Sequence, residues 1–129
     1  MNASVAVRLE RLVHGTKLNY DERVRQVLRA IAADPSHDIP ALARLVTLSD
    51  SRLSHLFKLE TGCSLQTFLV DRRLEAAALA LCQTENSVKE VSYTVGYRHP
   101  PSFVRAFRNR FGCSPSEYRA QQQILRMCS

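Results

Sequence analysis

Apolar positions in this chain recur every three to four residues and nowhere keep up the strict alternation of a strand. Beyond Asp21, Val24, Val27, Leu28 and Ile31 fall at i, i+3, i+4 and i+7, which predicts a helix with one buried stripe. Asp34-Pro35-Ser36-His37 ends it. Asp38 can cap a second helix, with Pro40 tolerated in its first turn and Ile39, Leu42, Ala43 and Val46 facing inward. Thr47-Leu48 reads as a turn. Ser49 caps a third helix that turns Leu53, Leu56 and Phe57 inward, and Gly62 sits where a left-handed residue would close it. Ser64 caps a long Ala/Leu-rich helix over residues 65–83, with Arg72-Arg73 near its middle.

The remainder repeats the scheme. Ser87-Val88-Lys89-Glu90 has the form of a capping box and opens a helix whose apolar face is Val88, Val91 and Val95. Gly96-Tyr97 turns the chain into a helix from about Pro100 to Phe111, with Phe103, Ala106 and Phe107 inward and Gly112 closing it. Ser114-Pro115-Ser116-Glu117 is a second capping-box pattern, and Tyr118 with the last apolar residues is expected to dock a final helix on the core. The expected fold is all-α, with about seven helices. Residues 1–18, with Val5, Val7, Leu9, Leu12 and Val13 among charges, read as a lead segment, and 122–129 as a tail.

The two halves share more than a pattern. Residues 53–64 and 103–114 carry Phe57/Phe107, Gly62/Gly112, Cys63/Cys113 and Ser64/Ser114 at a constant offset of fifty, and Lys58/Arg108 keeps the charge. Both copies read as the second half of a helix-turn-helix. The first module spans about 39–60 and the second about 88–111. In the opening helices of each module the offset is forty-nine (Ile39/Val88, Leu42/Val91), so the second module has one extra residue before its second helix. A joining helix of nineteen residues is roughly 28 Å long, comparable to one turn of B-DNA, so two heads on it could touch successive major grooves.

Charge sharpens this picture. The chain of 129 residues has a net charge of +6. Residues 1–86 hold eleven Lys/Arg against ten Asp/Glu, whereas residues 87–129 hold seven against two, so the excess surrounds the second module. An anionic partner is expected. No apolar run reaches membrane-spanning length and no secretory leader is evident, so the expectation is a cytoplasmic, nucleoid-associated protein without a membrane partner. Cys63, Cys82, Cys113 and Cys128 form no CxxC pair, and His14, His37, His55 and His99 lack ligand spacing, so no metal or other cofactor is expected. Cys63 and Cys113 read as small buried residues just after a helix end. No nucleophile-base constellation, phosphate-cradling glycine loop or inward carboxylate pair appears, so catalysis is not expected.

In a helix-turn-helix the early outward residues of the second helix enter the major groove. Those positions are Ser51, Arg52, Ser54, His55 and Lys58 in the first module, and His99, Pro101, Ser102, Arg105 and Arg108 in the second. Arg105 is the best candidate for base reading, since a guanidinium can bond both acceptors on a guanine edge. Arg98, Arg108 and Arg110 read better as phosphate contacts.

Val95-Gly96-Tyr97, the run from Ser102 to Arg119, Leu53-x-x-Leu56-Phe57-Lys58-x-Glu60-x-Gly62-x-Ser64, and Arg73 with Ala77 together resemble the DNA-binding domain of the AraC/XylS family of bacterial transcription regulators. The resemblance covers residues 19–121. It implies two helix-turn-helix subdomains bridged by one helix, binding promoter DNA, usually to recruit RNA polymerase. Three positions depart from the family. His55 stands where Arg is frequent, so the first head is expected to read more weakly or with a pH dependence. Pro100-Pro101, rigid and donor-poor, should shift the second head toward shape and apolar contacts. Thr47 stands where Gly96 does in the second turn, so the first turn should be less regular. The family's usual sensing domain has no room in the twenty or so preceding residues, so no small-molecule effector site is expected in this chain. The competing class is an all-helical protein-interaction module that has kept the fold and lost base reading. Salt separates the two: a reader making about six phosphate contacts loses affinity with a log–log slope near −5.

Overall fold

A computed structural model of the chain describes residues 20–128. The expected lead segment, 1–18, lies outside them. Seven helices occupy the described residues: α1 (Glu22–Ala33), α2 (Ile39–Leu45), α3 (Asp50–Thr61), α4 (Leu65–Gln83), α5 (Val88–Thr94), α6 (Pro100–Phe111) and α7 (Pro115–Met127). No strand occurs among them. No helix described is long and apolar enough to cross a membrane.

Polar caps set the boundaries. The Asp21, Asp38, Ser49, Ser87 and Ser114 side chains each accept a backbone N–H from the first turn of α1, α2, α3, α5 and α7 respectively. Ser64 does the same for α4 through the Thr67 N–H at 3.1 Å. The Arg23 guanidinium, then its backbone N–H, hold the Asp21 carboxyl down at about 2, so this cap stays charged through the physiological range. At Ser87 the box closes in both directions. At Ser114 only half of the expected box forms: Ser114 Oγ accepts the Glu117 N–H, while the Glu117 carboxylate lies 3.8 Å from Arg108. The helix ends repeat too. Gly62 (φ 75) and Gly112 (φ 81) are left-handed, and each donates to the carbonyl four residues back at 2.8 Å.

The chain divides into two compact units, one to Arg72 and one from Arg73, with the boundary inside α4. In the first unit, Val24, Val27 and Ile31 of α1 meet Leu42, Ala43 and Val46, then Leu53 and Phe57 of α3, then Leu65, Phe68 and Leu69. This is the stripe that the periodicity predicts. In the second unit Val91, Val95, Phe103 and Phe107 are buried with Leu74, Ala77, Ala78 and Leu81 of α4. A run of ring contacts ties that unit together. Tyr97 meets Phe103 at 5.4 Å, Phe103 meets Phe107 at 5.8 Å, and Phe107 meets Phe111 at 4.5 Å and Tyr118 at 5.4 Å.

Three expectations need correction. The last apolar residues do not dock: Ile124, Leu125 and Met127 are exposed, and α7 is held by Tyr118 and the buried Pro115 at its beginning. Cys63 is buried, whereas Cys113 is only half-buried, its Sγ 4.0 Å from Gln121 Oε1. The first turn is as regular as the second. Thr47 and Leu48 donate to Arg44 and Ala43 just as Gly96 and Tyr97 donate to Tyr93 and Ser92. The strain goes into one dihedral, because Thr47 takes φ 57 while Gly96 takes φ 106. A left-handed β-branched residue costs about 1–2 kcal/mol, and glycine returns roughly half of that in backbone entropy. Thr47→Gly should therefore raise stability by about 0.5–1 kcal/mol, read as a higher urea midpoint. A lower midpoint would mean that the Thr47 Oγ1–Val46 carbonyl bond (2.7 Å) outweighs the strain.

Candidate nucleic-acid interface

The second helices of the two modules present their residues in the same order. Positions 51–60 and 101–110 agree one for one in being buried, half-buried or exposed. Leu53/Phe103 and Phe57/Phe107 anchor the inner face of each helix. That anchoring turns Ser51, Arg52, His55 and Lys58 of α3 to solvent, and Pro101, Ser102, Arg105 and Arg108 of α6 likewise. Ser54 is half-buried on the flank, as is its counterpart Val104. Each module thus brings four of its expected reading residues onto one outer face, and leaves Ser54 at the edge.

The extra residue of the second module lies where the two offsets predict. Four residues, 46–49, join α2 to α3, and five, 95–99, join α5 to α6. The matching turn bonds run to Leu48 and Tyr97, so the added position is at Arg98-His99, both exposed. His99 stands in the place of Ser49 but makes no side-chain capping bond. In the same loop, the Tyr97 ring centroid lies 6.0 Å from the Arg73 guanidinium. Burial pushes the Tyr97 phenol up, with Arg73 opposing.

The cations differ in what holds them. Lys58 and Arg105 have no ion-pair or hydrogen-bonding side-chain partner among the described residues, so nothing competes for their charge. Arg108 has the long, exposed pair with Glu117, which is worth little in water. Arg110 is tied more firmly: its Nη2 donates to Glu75 Oε1 at 2.5 Å, and its guanidinium stacks 4.9 Å from the Phe111 ring centroid. Arg110 thereby braces α6 against the second half of α4 as well as carrying charge.

Two arginines were missed by sequence reasoning. Arg23 of α1 lines an open depression with Leu48, Ser51, Arg52, His55 and Leu56, and so sits beside the first head's outer residues. Arg119 of α7 donates from Nε to the Leu81 carbonyl at 3.0 Å and from Nη2 to the Asn86 carbonyl at 2.5 Å, satisfying carbonyls at the end of α4 and in the loop before α5. Neither role leaves a mark in helical periodicity, because each depends on reach between distant elements.

A helix-turn-helix domain family model matches residues 42–121. The chain is 37% identical over 116 residues to the arabinose operon regulatory protein of Escherichia coli K12, covering 88% of this chain and 40% of that protein. It is 40% identical over 103 residues to the protein of that name from Salmonella typhimurium, covering 78% and 37%. Thus the chain spans about two fifths of the length of these curated relatives. Among solved structures, the DNA-binding domain of the transcriptional factor AdpA, in complex with a target DNA, superposes with a TM-score of 0.72 at 27% identity, covering 83% of this chain and 98% of that one. The C-terminal domain of AraT, a response regulator from Geobacillus stearothermophilus, superposes with a TM-score of 0.71 at 29% identity, covering 80% and 88%.

Proposed function

This chain belongs to the AraC family of helix-turn-helix transcriptional regulators, and from that premise we propose that it binds bacterial promoter DNA sequence-specifically through both modules. The observation that carries the reading is the shared inward and outward order of α3 and α6, which sets two basic, polar faces on two separately anchored helices. Ser51, Arg52, Ser54, His55 and Lys58 serve the first head, and His99, Pro101, Ser102 and Arg105 the second. Arg98, Arg108 and Arg110 hold phosphates, which set the register and carry no sequence information. The recruitment of RNA polymerase, a nucleoid location and the reading of two successive major grooves belong to the same proposal. Binding needs no cofactor or effector within this chain.

The test is selection of bound duplexes from a random DNA pool, read by sequencing. Two short enriched motifs at a fixed separation of about one helical turn are expected. A single motif would mean that one head grips only the backbone. No enrichment, with binding insensitive to sequence, would favour a protein-interaction module.

A further inference from the structure

The two heads differ most at the amino end of their outer helix. In α3, Ser49 Oγ accepts the Arg52 N–H at 3.2 Å, and Asp50 and Ser51 keep N–H groups in the first turn. In α6, positions 100 and 101 are both proline and have no N–H to offer. The next two N–H groups, of Ser102 and Phe103, both donate to the His99 carbonyl, at 3.0 and 3.3 Å. The His99 side chain adds no cap. The leading backbone of α6 therefore has no outward hydrogen-bond donor, unlike that of a typical helix end.

Pro101 is exposed and occupies the place of Ser51, as Arg105 occupies that of His55. Pro101 and Arg105 are four residues apart, so they lie one above the other on one helix face. About 6 Å of helix rise separates them, one to two base steps. A pyrrolidine ring offers only C–H groups to a base edge. In the major groove the one apolar feature among the four bases is the 5-methyl of thymine. Resting on the reading of α6 as a DNA-reading helix, we propose that Pro101 is a specificity residue that recognises a thymine methyl, within two base steps of the guanine read by Arg105.

Deoxyuridine keeps every hydrogen-bonding group of thymine and lacks only that methyl. Each thymine of the selected second half-motif is replaced singly by deoxyuridine, and affinity is measured with the whole chain. One position should lose about fourfold, the size expected for one buried methyl. Pro101→Ser, which restores the first head's residue at an exposed position, should bind thymine and deoxyuridine duplexes equally. Pro101→Ala, still apolar, should keep part of the difference. A flat deoxyuridine scan on a duplex that is otherwise bound selectively would overturn the methyl reading alone. Retention of the full difference by Pro101→Ser would do the same. Failure to select any duplex would overturn it together with the DNA-reading role.

Discussion

Phe107→Ala is expected to cost about 3–5 kcal/mol, the usual range for removing a buried phenyl ring. Phe107 is fully buried and touches Phe103, Phe111 and Tyr118, so it joins α6 to itself and to α7. Small domains have about 5–15 kcal/mol in all, and a unit of this size sits toward the low end. The substitution should therefore leave the second unit only about 0–2 kcal/mol, so that it unfolds at little or no urea near room temperature. Urea melts followed by far- and near-ultraviolet circular dichroism would read this as a loss of helix and of fixed aromatic signal. A drop below about 1 kcal/mol would show that the ring cluster closes over the missing side chain.

Arg105→Ala carries the second large effect, and it concerns recognition rather than folding. Arg105 is exposed and without a side-chain partner, so its truncation should leave the melting curve unchanged within about 0.5 kcal/mol. Loss of a bidentate guanine contact removes about 1–3 kcal/mol of discrimination, roughly ten- to hundredfold, between the selected duplex and one changed at that base. Arg110→Ala supplies the contrast. It should weaken selected and random duplexes about equally and lower the salt slope by about one. It should also lower the melting temperature slightly, because the tie to Glu75 is lost. Equal effects of the two substitutions on preferred and random DNA would sink this division of roles.

Much of this was legible in the chain. The end of the helix 50–61 follows from Gly62, the start of 65–83 from Ser64, and both limits of 100–111 from Pro100 and Gly112, each of which acts within one turn of its own position. The inward residues follow from the 3.6-residue period. What failed depends on partners outside the local window. Glu117 matches the capping-box pattern at Ser114, but its carboxylate lies by Arg108, nine residues earlier in the chain, and makes no bond back to the cap. Ile124, Leu125 and Met127 look like docking residues, but burial needs an opposing surface and periodicity cannot supply one. Thr47 is unsuited to positive φ taken alone, yet the paired turn bonds at Arg44 and Ala43 hold it there. For the candidate interface, the outward set on both helices could be read from spacing, apart from Ser54, which is half-buried. The bracing of Arg110, the reach of Arg119 and the place of Arg23 could not.

The matching order of α3 and α6 has a practical consequence for redesign. Since the inner anchors and the outer residues occupy corresponding positions, the outer set of one helix can be transplanted onto the other without touching a buried side chain. Ser51 and His55 could replace Pro101 and Arg105, or the reverse, and each unit would keep its own aromatic support. On the proposed reading, the chain is a two-socket scaffold in which the lettering on each helix can be rewritten separately from the frame that holds it.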